Sequence, residues 1–173
     1  KARRIGAVAA AATLALTLAA CGSGNSGSST GGADGIKIGI KFDQPGLGLK
    51  KGTDYTGMDI DVAKYVAKEL GTSEDKITWV QAPSAQREDL ISTGQVKFIV
   101  ATYSITDKRK EKVSFAGPYF VAGQDLLVRA DDTSITGPDS LNGKKLCSVK
   151  GSTSAQKVKD KFAQTVQLQE FAT

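Results

Sequence analysis

The order of short apolar runs is the feature that most constrains this chain. Ile36, Ile38 and Ile40 alternate with Lys37, Gly39 and Lys41, the period of a half-buried strand. From Asp59 to Leu70 the apolar residues Val62, Ala63, Val66, Ala67 and Leu70 recur at helical spacing. Asp59 or Asp61 is placed to cap the start of that helix and Gly71 to close its end. Ile77 to Val80 reads as a short strand, and Ser84 to Thr93 as a helix followed by Gly94. Val96 to Ala101 is almost continuously apolar, as expected of a strand covered on both faces. Strand, helix, strand, helix, strand predicts an α/β fold with a parallel sheet and crossover helices. Ligands on such sheets bind beyond the carboxyl ends of the strands. That rule points to the loop after Ile40 and to Ala101-Thr102-Tyr103-Ser104.

A second unit repeats the pattern. Thr106 to Lys112 is a short charged helical turn, and Asp125 to Arg129 reads as a strand. After a polar link through Asp131-Asp132 and Gly137-Pro138, Lys144 to Val149 gives another strand. Lys150 to Thr153 forms a loop, and Ala155 to Ala163 a helix with Ala155, Val158 and Phe162 on one face. A further strand runs through Val166 and Leu168. These few elements make an incomplete sheet, so the expectation is a second lobe that is truncated here.

The front of the chain carries a different signal. Lys1, Arg3 and Arg4 precede an apolar run, Ile5 to Ala20, that ends in Leu18-Ala19-Ala20-Cys21-Gly22. A basic head, an apolar middle and small residues before a cleavage point make a secretory signal. The last five residues resemble a bacterial lipobox, in which the cysteine is acylated. A plain signal peptide with an incidental Cys21 is the alternative. Gly22 to Gly35 is Ser/Gly-rich and reads as a flexible tether. The chain opens on Lys1 rather than Met, so its start is expected upstream.

Composition removes several classes of function. The formal charge of +5 includes three from Lys1, Arg3 and Arg4, leaving +2 for the rest. The remaining cations interleave with acids, as in Lys108-Arg109-Lys110-Glu111-Lys112, and form no basic stripe of the kind nucleic acids require. There is no His, which excludes His-based triads and most zinc sites. No metal site or cofactor is expected. Cys147 is the one cysteine after Cys21, so it is either half of a disulfide with a partner beyond Thr173 or a small buried thiol.

Two segments carry recognition chemistry. In Ala101 to Arg109, hydroxyls and backbone N–H groups sit at a strand end, with Arg109 a few residues on. An α-amino acid presents a carboxylate that suits a planar, bidentate guanidinium. Its ammonium needs hydroxyls, carbonyls or a carboxylate, and Thr102 and Ser104 supply the first two. Three or four charge-assisted hydrogen bonds of about 1.5–3 kcal/mol each suffice for micromolar affinity, about −8 kcal/mol. In Gly151-Ser152-Thr153, free N–H groups at a helix start favour an anion. Taken alone, the first segment is a solvated charged turn and the second a helix cap.

Together these segments resemble the family 3 extracellular solute-binding proteins, the polar amino-acid receptors of ABC importers. The resemblance rests on Gly57 to Leu70, Thr93-Gly94-Gln95-Val96, Ala101 to Arg109, Phe115-Ala116-Gly117-Pro118-Tyr119-Phe120 and Lys144 to Thr153. It implies a two-lobed, hinged fold of the type II periplasmic-binding-protein kind, each lobe a mixed sheet with flanking helices. On it the chain divides into a lipoprotein signal peptide (1–20), a tether (21–34), the first segment of lobe 1 (35–124) and the start of lobe 2 (125–173). Arg109 is then the clamp on the ligand carboxylate, and Thr102 and Ser104 are its flanking hydrogen-bonders. Ser152 and Thr153 are the contribution of the second lobe, and Phe42 the aromatic against the ligand side chain. Phe120 to Leu127 is the first hinge crossing.

The lipobox and the Phe-Asp-Gln-Pro-Gly and Ala-Thr-Tyr-Ser-Ile-Thr runs resemble the glutamate-binding lipoproteins of high-GC Gram-positive bacteria. The implied function is capture of glutamate outside the cell. The implied partners are a permease and ATPase complex and, through Cys21, the membrane. Lys41, Arg87 or Lys150 is placed to favour an acidic side chain, unless all three are surface charges. Two departures stand out: Lys97 occupies a position where the family usually has Asp, and the later part of lobe 2 is missing. The alternatives are a dehydratase-like enzyme on the same fold or a lipid-anchored amino-acid sensor.

Overall fold

The computed structural model describes residues 35–173; the expected signal peptide, Cys21 and expected tether lie outside that range. Strand β1 (Ile36–Ile40) is central in a three-stranded parallel sheet, flanked by β4 (Ile77–Gln81) and β5 (Phe98–Ile99). Ile36 pairs with Ile77 and Ile40 with Gln81 along one edge, and Ile38 pairs with Phe98 along the other. Between β1 and β4 lie a hairpin, β2 (Leu49–Lys51) and β3 (Asp54–Thr56), and helix α1 (Met58–Glu69). Helix α2 (Arg87–Ser92) connects β4 to β5. The crossover order expected from the apolar periodicity is therefore present. The hairpin was not anticipated, because three-residue strands are too short to show a period.

The alternation in β1 sorts two cores onto opposite faces. Ile38 and Ile40 are fully buried with Ile60, Ala63 and Ala67 of α1. On the other face Ala82, Leu90 and Val96 close together beneath α2, with Val80, Ile91 and Ile99 against them. Each buried Ile contributes about 1.5–3 kcal/mol of apolar transfer energy.

Local details differ from expectation. The cap of α1 is Gly57, not Asp59 or Asp61. Its φ is 116°, and a Cβ there would fall 2.1 Å from the Leu47 carbonyl oxygen. Only glycine fits, and the two acids instead occupy the first helical turn, where they complement the helix dipole. Leu70 takes the C-cap position with ψ 5° and is half exposed rather than on the apolar face. The ladder of β5 is short, although Lys97 N–H and Val100 N–H still donate to Lys37 and Gly39 carbonyls at 2.8 and 2.9 Å. Lys97 is exposed.

After helix α3 (Asp107–Lys110) the chain runs to a second unit. Parallel strands β6 (Lys145–Val149) and β7 (Gln167–Phe171) are joined by α4 (Thr153–Lys161). Leu141, Val158, Ala163 and Val166 form a separate core, with Leu126, Ile135, Leu146 and Leu168 against it. Residues 125–129 are not a strand, which corrects the sequence reading. No strand among the described residues pairs with them, and Leu127 is fully exposed. An apolar run alone does not make a ladder. Phe162 is the C-cap of α4 and 42% exposed, and Cys147 is exposed, which removes the buried-thiol reading.

Candidate functional site

The carboxyl ends of β4, β1 and β5 meet at one edge, and the structure gathers a polar cluster there. Arg87 is the first residue of α2 and is 1% exposed, which corrects the surface-charge reading for it. Its Nε donates to the Ala82 carbonyl at 3.1 Å, and one Nη donates to the Thr102 carbonyl at 2.9 Å. The guanidinium thus spans from the segment after β4 to the segment after β5. The other Nη is buried without a hydrogen-bond partner. Burial, and after it the charge of Arg109, lowers the Arg87 pKa to about 10, which still leaves it cationic at neutral pH.

Lys41, the residue after β1, is 2% exposed and likewise no surface charge. Its Nζ lies 3.0 Å from Asp43 Oδ1, so the buried ammonium is ion-paired. Lys150 is exposed.

Arg109 is set by α3. Thr106 caps that helix, its Oγ1 accepting from Arg109 N–H at 3.3 Å. One Nη of Arg109 donates to the Ser104 carbonyl at 2.9 Å and the other to the Gly151 carbonyl at 3.0 Å. Its Nε lies 3.6 Å from Glu88 Oε1. The Tyr103 ring lies beneath both cations, 4.1 Å from the Arg109 guanidinium carbon and 5.1 Å from that of Arg87. The Tyr103 hydroxyl donates to Glu88. Burial, then that hydrogen bond, raises the Tyr103 pKa, so the phenol keeps its proton at neutral pH.

Beneath this layer, Asp59 of α1 is 1% exposed. The Tyr119 hydroxyl donates to Asp59 Oδ1 at 2.8 Å and lies 3.0 Å from the Ala101 carbonyl. Asp59 Oδ2 is buried without a partner. Desolvation raises the Asp59 pKa, with the Tyr119 hydrogen bond and the Arg87 charge opposing it.

The structure brings together four of the expected residues. Thr102, Ser104 and Arg109 share the strand end, and Thr153 reaches them from the second unit, its Oγ1 lying 2.9 Å from Ser104 Oγ. Thr102 Oγ1 donates to Gln44 Oε1 at 3.0 Å. Ser152 is engaged as the cap of α4, its Oγ accepting from Ser154 N–H at 3.2 Å. Phe42 packs edge-on against Tyr55 at 5.4 Å, on the periphery of the α1 core. Gln44, Asp59, Glu88, Tyr103 and Tyr119 were not expected at the site from sequence. Gln44, Tyr103 and Tyr119 lay inside runs that carry the family resemblance, Asp59 was expected only as a helix cap, and Glu88 carried no signal. Among the described residues no group of His, Cys, Asp and Glu is arranged to hold a metal, and no helix is long and apolar enough to cross a membrane.

The edge thus gathers three cations, Lys41, Arg87 and Arg109, with three acids, Asp43, Asp59 and Glu88, and several hydroxyls. The glutamate-binding protein GluB of Corynebacterium glutamicum is 48% identical over 180 residues, covering 98% of this chain and 61% of that protein. A glutamine-binding protein of Geobacillus stearothermophilus is 38% identical over 136 residues, covering 78% of this chain and 52% of the relative. The solved structure of an ancestral arginine-binding protein bound to arginine superposes with a TM-score of 0.74 at 31% identity, covering 82% of this chain and 62% of that one. The chain thus spans about three fifths of the length of the GluB relative. The architecture is the type II periplasmic-binding fold, of which the chain covers part. Residues 36–171 match the profile of the bacterial extracellular solute-binding proteins, family 3, and the chain belongs to that family.

Proposed function

We propose that this protein is the receptor of an ABC importer, that its ligand is glutamate, and that Cys21 carries a lipid anchor on the outer face of the cell membrane. In this reading residues 35–124 supply one lobe and residues 125–173 open the other. Arg109, Thr102 and Ser104 take the α-carboxylate and flanking groups of the ligand. Thr153 and the Gly151 backbone approach from the second lobe, and Phe42 and Ser152 line the rim. The protein binds and delivers; it does not catalyse.

The observation that carries the choice of glutamate is the 48% identity with GluB over 98% of this chain, against 38% over 78% for the glutamine-binding relative. Arg109 answers the α-carboxylate with a planar, bidentate fork.

The test is isothermal titration calorimetry on the full-length protein without its lipid, with glutamate, aspartate, glutamine, arginine and histidine. Glutamate is expected to bind at micromolar Kd or tighter, and glutamine at least tenfold more weakly. Preference for a neutral or basic amino acid would discard the choice of glutamate.

A further inference from the structure

The guanidinium of Arg109 is held on more sides than a charged surface turn requires. One Nη donates to the Ser104 carbonyl and the other to the Gly151 carbonyl, at 2.9 and 3.0 Å, and Nε lies 3.6 Å from Glu88 Oε1. With the Nε–H group turned to Glu88, two of the five N–H groups remain, one on each Nη. That is the number a carboxylate takes in a bidentate pair. The pair recognises a carboxylate only while the guanidinium plane is fixed, since rotation about the side-chain bonds turns the fork away. The Arg109 guanidinium carbon lies over the Tyr103 ring, 4.1 Å from its centroid, where the π face attracts the cation. Tyr103 is in turn held from two sides. Its hydroxyl donates to Glu88, and its ring packs on Phe115 with centroids 5.4 Å apart. Glu88 is therefore shared between the ring and the Nε edge of the guanidinium. Arg87 is held differently, its Nε and one Nη spent on the Ala82 and Thr102 carbonyls.

We propose that Tyr103 is a positioning residue, a platform fixed by Glu88 and Phe115 that holds the Arg109 guanidinium in the orientation in which it takes the ligand carboxylate. This rests on the reading of Arg109 as the carboxylate clamp. Tyr103 acts on affinity through Arg109. A flexible arginine loses side-chain freedom when it binds, and that ordering cost is subtracted from the affinity. The platform meets the cost before the ligand arrives. Without the ring, the Nε–H group is no longer kept beside Glu88, the side chain samples several orientations, and each binding event must order it anew.

The experiment compares full-length wild type with Tyr103→Leu and Tyr103→Phe. Heteronuclear NMR of the ligand-free protein follows hydrogen exchange at the arginine Nε–H groups, and calorimetry measures glutamate affinity. Tyr103→Leu is expected to speed exchange at Arg109 at least about fivefold more than at Arg87, and to weaken glutamate binding at least about fivefold. Arg87 is the internal control, since a merely structural defect would speed both groups in parallel. Tyr103→Phe, which keeps the ring and its packing on Phe115, is expected to recover most of both effects. If Tyr103→Leu does not give a wild-type circular dichroism spectrum, Tyr103→Met replaces it, with the same expectation. A folded Leu or Met variant in which Arg109 exchange rises less than fivefold relative to Arg87 overturns the platform, whatever the affinity, and leaves the clamp reading intact. Arg109 freed in this way with glutamate affinity kept within fivefold overturns Arg109 as the clamp.

Discussion

Replacing Tyr119 by Phe tests the buried layer beneath the site. Asp59 is 1% exposed, its Oδ2 has no partner, and the Tyr119 hydroxyl at 2.8 Å is the hydrogen-bond donor found for Oδ1. The substitution removes one oxygen and leaves a buried carboxylate with neither oxygen paired. A hydrogen bond to a charged group contributes about 1.5–3 kcal/mol, so Tyr119→Phe is expected to cost about 2 kcal/mol at pH 7.5.

The cost depends on pH, and the sign follows from the direction of the Asp59 shift. Burial raises the pKa, and the Tyr119 bond holds it down. A carboxyl with a folded pKa above its unfolded value binds its proton more tightly in the native state. Stability from this group therefore falls as pH rises from the ordinary carboxylate value through the raised one. Without Tyr119 the folded pKa climbs further, so the variant's deficit is largest at neutral pH and shrinks toward pH 4, where Asp59 can take up a proton. Urea denaturation of the full-length protein measures it. With a slope near 2 kcal/mol/M, the midpoint should fall by about 1 M at pH 7.5 and by clearly less at pH 4. A deficit under about 0.5 kcal/mol, or one equal at both pH values, would refute a charged Asp59 held by Tyr119.

Two further substitutions address the ligand contacts. Arg109→Ala in the full-length protein is expected to abolish amino-acid binding, and Arg109→Lys to weaken it at least tenfold, because an ammonium keeps the charge but loses the fork; calorimetry showing micromolar affinity in the Ala variant would exclude Arg109 as the clamp. Gly151→Ala is expected to weaken glutamate binding about tenfold and to lower stability by about 1–3 kcal/mol. Gly151 has φ +78°, and an added Cβ would lie 2.9 Å from Ala85 Cα, on the approach of the second unit to α2. Small-angle scattering that shows the same ligand-induced compaction in variant and wild type would count against that account.

How much of this was legible in the sequence follows from the range of each signal. The parallel sheet was legible because Ile36, Ile38 and Ile40 alternate and α1 has a helical period, and both periods are local. Arg109, Thr102 and Ser104 were legible because one strand end and the following turn carry them within eight residues. The hairpin of β2 and β3 was not, since three residues show no alternation. The strand expected over Asp125 to Arg129 was misread for the complementary reason. Apolar content marks a residue that can be covered, whereas a strand requires a partner whose identity lies elsewhere in the chain.

The buried polar layer was illegible for a related reason. Gln44, Asp59, Glu88 and Tyr119 lie on four separate segments, and each reads locally as an ordinary loop or helix residue. What joins them is the sheet. With β1 between β4 and β5, residues just past the three carboxyl ends must converge, and any side chain long enough meets there. Arg87 is the instructive case. The sequence reading puts it in the first turn of a helix opening at Ser84, a position usually left to solvent. Its depth follows instead from two carbonyls, Ala82 and Thr102, that end neighbouring segments and need donors once they are turned away from water. A guanidinium has five N–H groups, more than those carbonyls consume. The demand of the fold for backbone donors thus places a buried cation at the strand ends, where its charge also acts on Asp59.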